Sequence, residues 1–428
     1  MPRPPRGILE GMSLSRRHFL AGGGAAAAAQ RLPAGPPGVR SEVFLRSPGK
    51  GTAVMAYAYY TGRRGGGMMS IEQRWSRSDT IDVSYYRRSP DYGRTWSAPV
   101  EHPTGERRPQ GMWRKHPRGG WVDPATGRFL EFWVEGILPN DDPLEGLRQW
   151  NIFYSVDGGA PRQVIHKGAE FDERRPLPGV WTGKNCAMLG DTTCQPLARR
   201  DGEILLPVQI SPLGSDGALY NPGGGYTYHE SAVLHGRWKG DRIEWEMSEL
   251  IRGDPQRTTR GMVEPAIGEL AGGRLLLVMR GSNDRRPELP GYRWVSFSSD
   301  GGWKWTTPEP WTYHTGETFF SPSACSQLLH HSNRRLYWLG NIAPANPRGN
   351  RPRYPFHVGE VDLKSGRLAR ASLRVVDDLE PGENALLTLS NFYAREGRRT
   401  RELCVHMTRL FALPDGWEGD AMLYRIGV

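Results

Sequence analysis

Beyond residue 40 the chain alternates short apolar or β-branched runs with clusters of Gly, Asp and Pro. Runs at 52–60, 81–87, 127–134, 151–155, 203–209, 274–280, 292–297, 336–339, 355–361 and 403–408 have the length and composition of β-strands. No long stretch repeats its apolar positions with the helical period. Segments 103–120 and 166–180 are basic and rich in Pro and Gly, and they read as loops. Many short strands without intervening helices predict an all-β sandwich, barrel or propeller.

An internal repeat selects among these. Ser89-Pro90-Asp91-Tyr92-Gly93-Arg94-Thr95-Trp96 and Ser298-Ser299-Asp300-Gly301-Gly302-Trp303-Lys304-Trp305 share the form Ser-x-Asp-x-Gly-x-x-Trp. Ser155-Val156-Asp157-Gly158-Gly159 is a degenerate third copy without the Trp. In each, a strand ends at the Ser, and Asp and Gly turn the chain. Companion turns, Asp201-Gly202 and Gly272-Gly273, precede further apolar strands. Dividing the chain at these marks gives six units of roughly 60 residues, the size of a four-stranded blade. The expected fold is an all-β, six-bladed β-propeller of four-stranded antiparallel blades, forming a single domain over residues 41–428.

Composition supports this. The 54 Gly and 35 Pro supply turns, while 15 Trp and 16 Tyr exclude disorder. Residues 1–40 read separately, as an export signal. Arg16 and Arg17 lie in Ser15-Arg16-Arg17-His18-Phe19-Leu20, which resembles the twin-arginine motif, ahead of a short apolar, Ala-rich run. That run is shorter than a membrane span, so the expectation is a periplasmic or extracellular protein with no integral membrane segment. Without these residues the chain has 50 basic against 45 acidic side chains. So small an excess does not suggest nucleic-acid binding. Cys186 and Cys194 are the nearest pair among the four cysteines, and the spacing leaves a disulfide or free thiols open. No CxxC or His/Cys cluster suggests a metal, and no cofactor is expected.

The octamers resemble the Asp box of sialidases, and from about residue 42 onward the chain resembles the sialidase (neuraminidase) superfamily. The resemblance is strongest over residues 69–100 and 260–305. It implies three arginines clamping a substrate carboxylate, an Asp acid/base, and a Tyr nucleophile activated by a Glu. Arg46, in Phe44-Leu45-Arg46-Ser47-Pro48 at the opening of the first blade, corresponds to the first arginine. Arg280, ending a strand that follows Glu264-Pro265, corresponds to the second. Arg353, in Arg353-Tyr354-Pro355-Phe356, corresponds to the third, with Arg351 as competitor. Arg74 belongs to the family's Glu-x-Arg segment, Glu72-Gln73-Arg74, as a further substrate-binding residue. Asp79 maps to the general acid, with Asp82 as alternative, and Glu264 to the base. The sequence departs from the family at the nucleophile: Leu389 occupies the Tyr place and Tyr393 comes four residues later. Tyr393 is the nominal nucleophile, with Tyr354, Tyr226 and Tyr228 as alternatives. His229-Glu230, the His330-His331 pair and Asn341 are lesser candidates, and Trp113 and Trp121 offer sugar-stacking faces. The resemblance implies an exo-acting glycoside hydrolase for a sialic-acid-like or uronic sugar, with an acidic glycan as partner. The alternatives are a non-catalytic propeller binding acidic glycans, or a propeller polysaccharide lyase.

Overall fold

The computed structural model describes residues 38–413 and 416–428. The export signal read over 1–40 lies outside the described residues up to position 37. The described strands form six sheets of four or five strands, the blades of a six-bladed β-propeller. Pairing is antiparallel except where Glu418–Gly419 adds in parallel beside Thr52–Tyr60. Among the described residues the only α-helix is the single turn Gly146–Gln149, and no helix is long and apolar enough to cross a membrane.

All ten expected runs are strands, with ends moved by a few residues. The largest correction concerns 103–120, which holds Gly105–Arg108 and all but the last two residues of the twelve-residue strand Gly111–Val122. Its basic residues misled because they stack on aromatic rings: Arg108 lies over Trp113 at 4.8 Å and Lys115 over Trp133 at 4.1 Å. Segment 166–180 has only isolated bridges, as a loop should.

The strand carrying Phe44 does not open the first blade. Val39–Leu45 pairs with Ala421–Ile426 and is the outer strand of the last blade, whose other strands are Leu403–Thr408 and the inner Phe392–Glu396. The first and last described strands thus close the ring.

Each blade packs both faces against neighbours, so its middle strands carry continuous apolar runs. Leu275–Arg280 and Ile204–Ile210 are buried at every position. Burying each such Leu, Ile or Val side chain contributes about 1.5–3 kcal/mol. Buried amides join the inner edges of adjacent blades. Gln327 both donates to and accepts from the backbone of Ala394, at 2.7 and 2.8 Å. Gln209 accepts the Glu264 N–H at 2.9 Å, leaving that buried donor satisfied.

Both complete octamers fold alike. The Asp91 carboxylate accepts the Thr95 N–H at 2.9 Å, and that of Asp300 accepts the Lys304 N–H at 3.0 Å. Asp157 of the degenerate copy instead accepts the Phe129 N–H at 2.8 Å. All four cysteines are buried free thiols.

Candidate active site

At the end of the propeller where the inner strands Val263–Glu269, Gln327–His330 and Phe392–Glu396 begin, the blades surround a cavity of about 680 Å³. Asp79 reaches it from blade one, His116 and Arg118 from blade two, and Asp191 and Tyr226 from blade three. Glu264 and Arg280 come from blade four, Arg353 from blade five, and Ser390 and Asn391 from the loop entering blade six. A larger cavity, about 1080 Å³, opens at the other end, where Tyr393 and Trp121 lie. We place the site in the smaller cavity because the buried charged groups converge there.

Glu264 has φ 49°, in the left-handed region, at a register shift between Val263 and Ala266. A bulge of this kind re-aims a side chain, and left-handed backbone at Glu costs energy that packing must offset. The Glu264 carboxylate meets Arg280 Nη1 at 3.0 Å, with both side chains about 10% exposed. Gly190 makes room for it: a Cβ there would lie 2.4 Å from Glu264 Cγ and 2.5 Å from Gln209 Oε1. Gly190→Ala should therefore destabilise the protein by about 1–3 kcal/mol through overpacking. An unchanged urea midpoint would refute this.

Asp191, next in the chain, is 8% exposed. Its Oδ1 accepts the Thr192 N–H at 2.6 Å and its Oδ2 accepts Asn391 Nδ2 at 2.9 Å. Burial, and then the charge of Glu264, push its pKa upward; Arg118 and Arg280 oppose them.

The guanidinium groups press on one another. Arg260 is pushed down to about 10, first by burial and then by the charge of Arg280. Arg353 is lowered by the same causes in the same order. Arg353 Nη1 donates to Ser390 Oγ at 3.0 Å. Its backbone carbonyl is held by Asn341 Nδ2 at 3.0 Å, and the same amide donates to Leu389 O at 3.0 Å. Asn341 thus positions the arginine loop and does not line the cavity. Six arginines against four carboxylates line the walls, an environment that favours an anion.

Asp79 has φ 55°, is exposed, and accepts the Ser78 hydroxyl at 2.9 Å on the cavity rim. Tyr226 stands beside it, 50% exposed, with the Arg260 guanidinium 5.8 Å from its ring centre. Burial and the charge of Asp79 raise its phenol pKa.

The structure thus gathers Asp79, Glu264, Arg280 and Arg353, together with Arg351, but leaves Arg46, Arg74 and Tyr393 elsewhere. Arg46 is paired with Asp420 at 3.2 Å on the surface of the last blade. Arg74 folds back onto Glu72 at 2.9 Å and onto the Tyr85 ring. Tyr393 packs against Tyr57 and Tyr59, its phenol pushed up to about 12 by burial. Tyr354 and Tyr228 donate to the backbone carbonyls of Ala385 and Gly253, which leaves Tyr226 as the cavity's phenol. His229 is buried beside the arginines with neither ring nitrogen paired, and His331 caps a turn of blade five. Sequence reasoning missed Asp191, Arg118, Arg260 and Asn391, which no local motif distinguishes. Among the described residues no group of three His, Cys, Asp or Glu is placed to hold a metal ion.

No protein-family model matches the sequence, and a search of curated proteins finds no relative. Solved structures do match. A Dyadobacter fermentans protein of unknown function aligns at TM-score 0.58 and 16% identity, over 91% of this chain and 100% of its own. The Trypanosoma rangeli sialidase, in complex with a difluorinated nononic acid, aligns at 0.57 and 15%, over 91% of this chain and 58% of its own. A Penicillium chrysogenum α-L-arabinanase, complexed with arabinobiose, aligns at 0.51 and 12%, over 90% and 98%. By fold, this chain is a six-bladed β-propeller like these solved structures.

Proposed function

We propose that the protein is an exo-acting glycoside hydrolase for a carboxylate-bearing sugar, of sialic-acid or uronic type. The observation that supports this most is the crowding of Arg260, Arg280 and Arg353 around one cavity with Asp191 and Glu264. Like charges packed so closely disfavour one another, and a bound carboxylate offsets that cost. Planar guanidinium forks suit a carboxylate, so the sugar's acid group docks among the arginines. Asp79 on the rim then faces the leaving group as general acid, while Asp191 and Glu264 serve the anomeric carbon from the cavity floor. The sialidase and arabinanase neighbours share the fold, and their chemistry is consistent with a sugar substrate. The export signal read over residues 1–40 would bring the enzyme to glycans outside the cytoplasm.

The test is a panel of aryl and natural sialosides and uronides, read for released sugar and for unsaturated product. Release of an intact acidic monosaccharide supports the proposal. An unsaturated uronide would replace it with a lyase. Binding of the free sugars without turnover of any glycoside would replace it with a non-catalytic glycan binder.

A further inference from the structure

A hydrolase with Leu389 at the family's Tyr position needs another attacking group. Resting on the glycosidase reading, we propose that the Asp191 carboxylate attacks the anomeric carbon in place of the missing phenol, forming a glycosyl ester.

Three observations lead there. First, the cavity's single remaining phenol is badly placed: Tyr226 sits on the rim beside Asp79, the side assigned to the leaving group. Second, Asp191 reaches the segment where the family motif puts its nucleophile. Asn391, two residues past Leu389, donates to Asp191 Oδ2 at 2.9 Å, and the neighbouring Thr192 hydroxyl donates to Phe392 O at 2.7 Å. Third, the chemistry changes consistently. A phenol of pKa ~10 needs a base to make it nucleophilic, whereas a carboxylate needs none once ionised; at Asp191 burial and then Glu264 oppose ionisation, and Arg118 and Arg280 favour it. Glu264 is then free of the base role, which agrees with its ion pair to Arg280 at 3.0 Å. The two N–H donors to Asp191 fix its carboxylate at the cavity floor and leave lone pairs for attack.

The steps balance. An Asp191 oxygen bonds to the anomeric carbon as the bond to the leaving oxygen breaks, and Asp79 gives that oxygen its proton. Water then attacks the same carbon and passes a proton to Asp79. The ester bond breaks and Asp191 leaves as the carboxylate. Two displacements retain the anomeric configuration.

The groups acting on the charge of Asp191 are Glu264, Arg118, Arg280, Tyr57, Cys194 and Cys325. Burial and then Glu264 raise its pKa, and protonation removes the nucleophile, so kcat/KM should fall on the acid side. Glu264→Gln removes that negative charge and should move the acid limb to lower pH.

The decisive experiment uses the intact enzyme with 3-fluorosialyl fluoride and with 2-deoxy-2-fluoroglucuronyl fluoride, followed by peptide mass spectrometry. The expected result is one sugar mass on the peptide containing Asp191, together with a retained first product by proton NMR. Asp191→Ala should lose on the order of 10³-fold or more in turnover. Azide should restore activity to it and yield a glycosyl azide of inverted configuration. Asp191→Asn keeps the side-chain shape and serves if the Ala variant does not fold; it should be as inactive. A label on any other residue, an inverted first product, or an Asp191→Asn enzyme near parental turnover would overturn the proposal while leaving the glycosidase reading intact. Absence of both turnover and labelling in the parent would overturn the two together.

Discussion

Arg280→Ala should weaken binding of an acidic monosaccharide by about 2–5 kcal/mol, roughly 30-fold to several-thousand-fold, in calorimetric titrations with sialic acid and glucuronate. The effect is large because Arg280 is buried, 8% exposed, and ends a fully buried strand that holds its guanidinium at the cavity wall. A charge-assisted hydrogen bond to a carboxylate contributes about 1.5–3 kcal/mol, and a guanidinium can make two. The substitution also leaves Glu264 buried without its 3.0 Å partner, and that negative charge then repels the incoming carboxylate. Arg280→Lys keeps the charge without the fork and should fall between parent and Ala variant. Because Arg280 is buried, raising the salt should weaken parental binding less than it would for an exposed pair. Arg46→Ala is the internal control: its side chain is exposed and paired with Asp420, away from the cavity, so affinity should not change. An Arg280→Ala protein that folds and binds as tightly as the parent would refute the carboxylate clamp.

The second large effect depends on the leaving group. Asp79→Asn should slow hydrolysis of natural glycosides by about 10²–10⁴-fold, the usual contribution of a positioned general acid. An activated aryl glycoside departs without a proton, so the first displacement should be much less affected there. Asn is the right replacement because Asp79 sits at φ 55°, which Asn tolerates and which would strain Ala. Burst kinetics with the aryl substrate separate the first displacement from the second. Equal loss of the first step on both substrate types would remove Asp79 as the acid.

Legibility from sequence was uneven, and particular residues show why. The two octamers announced their turns because Ser, Asp and Gly make local hydrogen bonds that need only their own neighbours. Ser298 and Asp300, for example, bond each other at 2.9 Å. Strands such as Thr52–Tyr60 and Leu403–Thr408 were legible because their apolar runs match the strand's own length. The strand Gly111–Val122 was not, because its polar residues find partners only in the fold: Lys115 lies over the Trp133 ring, Trp113 lies under Arg108 of the preceding strand, and Arg114 pairs with Asp141. Within the site, Glu264 and Arg280 were found together since they belong to adjacent paired strands of one blade. Arg46 was misplaced for the opposite reason. Its strand looks like the start of a first blade, but it is the outer edge of the last, far from the axis.

The sequence by itself determined the strand-and-turn alphabet, the sixfold count of blades and a glutamate–arginine pair, all of which depend on contacts within one blade. Only the tertiary structure decided which charged groups share the cavity. Asp191 meets Asn391 across 200 positions of chain, and Arg118, Asp191, Glu264 and Arg353 arrive from four different blades. Ring closure brings these residues to one axis because the inner strands of all blades point the same way. No residue's local sequence records that convergence, since what defines the site is the mutual electrostatic pressure of groups that are distant along the chain.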